Sequence, residues 1–177
     1  QLHQFLTHAF LHGSWEHLAG NMLFLYIFGN NINDRLGNVG YLAFYLAGAF
    51  FAGLGHVYME QTPAVGASGA IAAVTGLYLI ILARTRVTIL YWFFFISTFE
   101  ITALVWIFLY FARDLWYSLS GEAMQIAYSA HVAGYLFGFG IGLLLLLFRL
   151  VRRSNYDLLS FFSRAVYRFN VAVSPTV

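Results

Sequence analysis

Five apolar stretches, near residues 16–32, 40–59, 68–83, 88–112 and 130–151, limit what this chain can fold into more than any other feature. A bilayer core about 30 Å thick is crossed by roughly 20 apolar residues of helix, and all five stretches reach or approach that length. In lipid, backbone polar groups must be satisfied internally, which favours helices over open strands. Of 177 residues, 61% are hydrophobic, 20% are aromatic and 9% are charged, a balance foreign to soluble domains. The expected fold is therefore an all-α polytopic membrane protein with five transmembrane helices. Turn chemistry separates them: NNINDRLGNVG, EQTPAVG, ARTRV and RDLWYSLSGEAMQ. Residues 1–151 form the expected membrane domain, with 1–15 as an outer loop and 152–177 as an interfacial or flexible tail. The third stretch is short, so Ser68 at its start should lie below one membrane surface, beside a polar loop.

Charge placement gives an orientation. All nine basic residues are arginine. Counted over alternate loops, Arg35, Arg84, Arg86, Arg149, Arg152, Arg153, Arg164 and Arg168 fall on one side and Arg113 on the other. By the positive-inside rule the first side is cytoplasmic, which puts the tail in the cytoplasm and opens the Ser68 end outward. A multi-pass protein of a bacterial inner membrane is the expected location. The net charge of +2 is small and dispersed, so no nucleic-acid partner is expected. The chain lacks cysteine, which excludes a thiolate nucleophile and leaves serine, histidine and carboxylates for chemistry. Its opening, QLHQFLTHAFLHGSWEH, is polar and unlike a secretory leader, as though further architecture lay upstream.

Polar groups inside apolar segments are costly and point to function. Four stand out: His17, Asn21, Ser68 and His131. Ala130, Gly134, Gly138 and Gly142 recur every four residues, as do Ser68, Ala72 and Gly76, with Gly69 and Ala73 on the next row. Two such faces allow close helix approach, bringing Ser68 and His131 within hydrogen-bond reach. A neutral imidazole could then take the serine proton during attack on a carbonyl. His17 and Asn21 are spaced i, i+4 and share a helix face. With the Ser68 backbone N–H, at a helix start whose amides lack partners, they could stabilise an oxyanion. No carboxylate has an evident route to His131, so a Ser-His dyad is expected rather than a triad.

HLAGN, GASGA and AHVAG, in this order on three membrane segments, resemble the rhomboid family of intramembrane serine proteases. The likeness runs from about Thr7 to Arg149. It implies a rhomboid-like helical bundle of six helices, one of them upstream of Gln1, with Ser68 as nucleophile, His131 as general base, and His17 with Asn21 as oxyanion site. It also implies that Gly66 and Gly69 flank the nucleophile, that Gly134 and Gly138 permit the helix crossing, and that His8 and His12 brace the outer loop. The activity implied is hydrolysis of peptide bonds in transmembrane protein substrates within the lipid bilayer, with no metal or cofactor. The chain departs from the family pattern at Asn33, where a turn glutamate is common, at His3 and Gln4, which replace a Trp-Arg pair, and at Ala72, where some relatives have tyrosine.

Taken singly, each of these residues has a plainer reading: Ser68 as a packing residue, His131 as a core histidine, Asn21 as a helix-to-helix hydrogen bonder. Their coincidence favours the catalytic one. His8 and His12 share an i, i+4 spacing but find no third metal ligand, and Glu100 reads as a single buried or interfacial hydrogen bonder. The alternative function is a rhomboid-fold subunit that binds or stabilises a membrane-complex partner with little or no proteolysis.

Overall fold

The computed structural model describes residues 2–60, 62–92, 96–120 and 126–164. The predicted tail from 165 on, including Arg168, and residues 121–125 of the predicted outer loop lie outside the described residues. The described chain is a helical bundle that carries one β-hairpin. A short helix α1 (Gln4–Thr7) and a 3₁₀ turn (His8–Phe10) lead into α2 (Trp15–Phe24). A π-helical turn (Leu25–Gly29) joins α2 to α3 (Asn30–Met59), and α4 covers Ser68–Ile81. The hairpin strands β1 (Arg86–Trp92) and β2 (Ile96–Thr102) follow, then α5 (Ala103–Ser120) and α6 (Tyr128–Leu147).

The stretch 15–59 and α6 are long and apolar enough to cross a membrane. Within 15–59 the chain breaks at Gly37, whose φ of 71° and ψ of 165° are non-helical. A left-handed φ costs glycine nothing and other residues a clash, so Gly37 ends one helix and starts the next inside the predicted turn. Beside it, Asn33 donates through Nδ2 to Asn38 Oδ1 at 2.9 Å.

Helix α4 sits at the centre. Gly69 to Ile81 are all buried, and a helix apolar on every side is stable only when surrounded by others. Glycines set the spacing of α4 to its neighbours. A Cβ on Gly69 would come within 2.6 Å of Ala52 Cβ in α3, and one on Gly76 within 2.6 Å of the Tyr135 carbonyl in α6. Cβ atoms on Gly134 and Gly138 would overlap the carbonyl oxygens of Gly69 and Ala73.

The helix expected over 88–112 is corrected by the structure. Its first half is an antiparallel hairpin in which Thr88 faces Glu100 and Leu90 faces Thr98. The reason is local: RVTILYW and ISTFEIT are rich in β-branched and aromatic residues, which lose side-chain freedom in helices and pack well on pleated strands. The hairpin base is tied to the end of α4, with Ala103 N–H donating to the Thr85 carbonyl and Leu104 N–H to that of Ala83. Glu100 is an exposed hairpin residue paired with Arg86 at 2.8 Å, and not a buried hydrogen bonder. The helical half begins at Ala103 and runs to Ser120, through residues expected to be loop.

After α6 the chain folds back beneath α4. Arg84 N–H donates to the Tyr156 carbonyl, and Arg35 reaches that of Arg152. Residues 158–164 are helical, and Asp157 caps them. Its fully buried carboxylate accepts from the N–H groups of Ser160 and Ser154 at 2.7 and 2.8 Å, from the Ser160 hydroxyl at 3.0 Å and from Arg153 at 3.4 Å. Burial alone would raise its pKa, but these donors together hold it below the ordinary 3.8. Loss of such a cap costs about 1 kcal/mol, up to about 2, so Asp157→Ala should lower the thermal midpoint in detergent at pH 7. The folded pKa lies below the unfolded one, so this stabilisation is complete above the ordinary value and disappears as pH falls through the lowered folded value. The gap between parent and variant melting curves should therefore close in acid.

Candidate active site

GASGA begins α4 at Ser68, with Ala67 preceding the first turn. AHVAG lies in the first turns of α6, and HLAGN lies in α2, whose start is capped by the Ser14 side chain accepting from His17 N–H at 3.2 Å. The small-residue faces of α4 and α6 let the two helices meet along their length. Ser68 and His131, each near the N-terminal end of its helix, are thereby brought together: the Ser68 hydroxyl donates to His131 Nε2 at 2.8 Å.

His17 and Asn21 face the same groove, a cleft of about 770 Å³ that also holds Ser68, His131, Ile71 and Tyr110 on its walls. Gly66 packs against both residues with φ of +126°; a Cβ there would sit 2.7–2.8 Å from the His17 ring and 3.7 Å from Asn21 Nδ2. Any side chain at 66 would therefore be strained in its backbone and would push into His17. Asn21 Nδ2 is buried and has no hydrogen-bond partner among the described residues. A buried amide donor without a partner costs free energy, and Asn21 is among the residues that line the groove containing Ser68.

Histidines pack the preceding segment. His8 Nε2 lies 3.3 Å from the Ala49 carbonyl, and the His8 carbonyl accepts from Gly66 N–H at 2.9 Å, joining the opening segment to the chain just before Ser68. The His12 ring stands edge-on to that of His17, with centroids 5.2 Å apart.

The expectation that no carboxylate reaches His131 is corrected. Asp114 on α5 is 1% exposed, and its Oδ2 accepts from His131 Nδ1 at 3.0 Å. Its Oδ1 accepts twice from Arg113, through Nε at 2.9 Å and Nη2 at 2.7 Å. Because an ionised carboxylate only accepts, this contact puts the His131 proton on Nδ1 and leaves Nε2 to accept from Ser68. The sequence reading missed Asp114 because it ended the helix at 112. A charged Arg-Asp pair inside an apolar helix was the available signal.

A second residue pair also escaped that reading. His56, 3% exposed at the end of α3, pairs through Nδ1 with the Ser129 hydroxyl at 2.7 Å and through Nε2 with the Thr62 carbonyl at 2.8 Å. It pins the segment leading to Ser68 and the start of α6 to one another.

Comparison with known proteins identifies the family of the chain. Residues 1–148 match the Rhomboid domain family. The chain is 35% identical over 153 residues to RHOMBOID-like protein 12, mitochondrial, of Arabidopsis thaliana, covering 76% of this chain and 44% of that protein. It is 40% identical over 75 residues to Rhomboid-like protein 11, chloroplastic, of the same plant, covering 39% of this chain and 25% of that one. The chain spans less than half the length of either relative. With its helical bundle and a family match over 148 of its 177 residues, this membrane protein belongs to the rhomboid family.

Proposed function

We propose that the chain is an intramembrane serine endopeptidase acting on transmembrane protein substrates. The observation that carries this reading is the 2.8 Å contact from Ser68 to His131 inside a groove lined also by Asn21, whose amide nitrogen is unpartnered among the described residues. As the Ser68 oxygen attacks the scissile carbonyl, His131 Nε2 takes its proton. The tetrahedral oxyanion is met by Asn21, His17 and the Ser68 backbone N–H, donors aimed where charge develops. On collapse the C–N bond breaks, His131 returns the proton to the leaving amine, and a serine ester remains. Water then attacks that ester, again with His131 as base, and regenerates Ser68.

The groove lies at the end of α4 and α6 opposite Arg84 and Arg149, which supports an opening on the arginine-poor side and a tail on the cytoplasmic or equivalent face of the membrane. The test is cleavage of a fluorogenic transmembrane substrate by the purified chain in detergent, beside Ser68→Ala. Cleavage by the parent and none by the variant is expected. A folded parent that leaves a panel of such substrates intact would favour a rhomboid-fold subunit that acts by binding other membrane proteins.

A further inference from the structure

We infer that Asp114, held by Arg113, is a positioning residue for His131, so that this site works as a four-residue relay and not as an isolated dyad. The inference rests on the serine-protease reading above. Three observations carry it. First, the contacts are continuous: Arg113 to Asp114 Oδ1 at 2.7 and 2.9 Å, Asp114 Oδ2 to His131 at 3.0 Å, and His131 to Ser68 at 2.8 Å. Second, Asp114 is 1% exposed. A carboxylate so buried is tolerated only when paired, and both of its oxygens are used, one by the imidazole and one by the guanidinium. Third, little else fixes the imidazole. Ala72 offers no ring to stack on it, and the Tyr128 ring meets it only by an edge, with centroids 6.0 Å apart. Charged or titratable groups around His131 are Asp114 and Arg113 from α5, Tyr128 from its own helix and His17 from α2.

The carboxylate selects the tautomer in which Nε2 is free to take the serine proton, and it stabilises the imidazolium formed during attack. Asparagine at 114 would keep the shape but could offer its amide to Nδ1, favouring the wrong tautomer. Arg113 has a matching part: its planar fork bonds one carboxylate oxygen twice, which a lysine ammonium does not reproduce. Because Asp114 and Arg113 stand on α5 while Ser68 and His131 stand on α4 and α6, the relay is complete only when α5 is docked.

The experiment uses the full chain in detergent with a fluorogenic transmembrane substrate and with a small fluorophosphonate, comparing the parent with Asp114→Asn, Asp114→Glu and Arg113→Lys. For Asp114→Asn, kcat should fall by about 100-fold or more with KM little changed, since the residue touches no substrate. The phosphonate labelling rate should fall in parallel, Asp114→Glu should recover part of the loss, and Arg113→Lys should lie between. A readout independent of turnover is the Nδ1–H proton resonance of His131: it should appear far downfield in the parent and in Ser68→Ala, and vanish in Asp114→Asn. Asp114→Asn that is folded and cleaves within twofold of the parent overturns the relay while leaving the protease reading intact. A parent lacking the downfield resonance overturns it whatever the activity. Failure of the protease reading is a different result, in which the downfield proton is present but neither cleavage nor labelling occurs.

Discussion

His131→Ala should abolish cleavage of a transmembrane substrate, lowering kcat by a factor on the order of 10⁶, as removal of the base does where serine and histidine act as a unit. Ser68→Ala should cost about as much, and the double variant no more than either single one. Independent contributions would instead multiply. The hydroxyl donates directly to Nε2 at 2.8 Å, so each residue has a catalytic role only while the other is present. What remains in the double variant is substrate binding and the oxyanion donors, on the order of 10³-fold over water. Single-turnover rates for the four proteins, with far-ultraviolet dichroism to show that each is folded, complete the cycle. A double variant losing much more than the singles would mean that the two residues act separately.

Gly138→Val should be the most damaging single change to the fold outside the site. A Cβ at 138 would overlap the Ala73 carbonyl oxygen and lie 2.8 Å from Leu77 N and 3.0 Å from Ala73 C, all backbone atoms of α4. A side chain could rotate aside; a helix backbone cannot, so α4 and α6 would have to separate. Helices in a membrane are held largely by such close packing. Overpacking typically costs about 1–3 kcal/mol, and contact with backbone along a central helix puts Gly138→Val at about 3 kcal/mol or more. The same separation would draw His131 away from Ser68, so activity should fall with stability. Gly140→Ala, two residues along on the exposed face with nothing within 4 Å, is the control. It should leave activity unchanged and raise stability by up to about 1 kcal/mol through helix propensity. Thermal melting in detergent distinguishes the two.

The parts legible in the sequence were those written as periodicity. Small residues every four positions in 68–76 and 130–142 announce the α4–α6 contact, and the i, i+4 pair His17 and Asn21 places both on the groove side of α2. Hydrophobic length alone failed at 88–112, where lipid-like composition hid β-branched strands, and the helix expected to end at 112 runs on to Ser120. Asp114 was lost through that error: assigned to a loop, its carboxylate had no direction, whereas on α5 it points at His131. The His56–Ser129 link was invisible for another reason. Its partners are 73 residues apart, neither belongs to a periodic motif, and only the fold brings them together. The break at Gly37 was readable as a turn, but its nearly continuous helical backbone on both sides was not.

The most direct test of the central claim, that Ser68 is a nucleophile activated by His131, is covalent labelling. The purified chain in detergent is treated with a serine-directed fluorophosphonate, digested, and the adduct located by mass spectrometry. One modified site is expected, Ser68, with labelling lost in His131→Ala. A folded protein that acquires no adduct at Ser68, or one labelled equally well without His131, would contradict it.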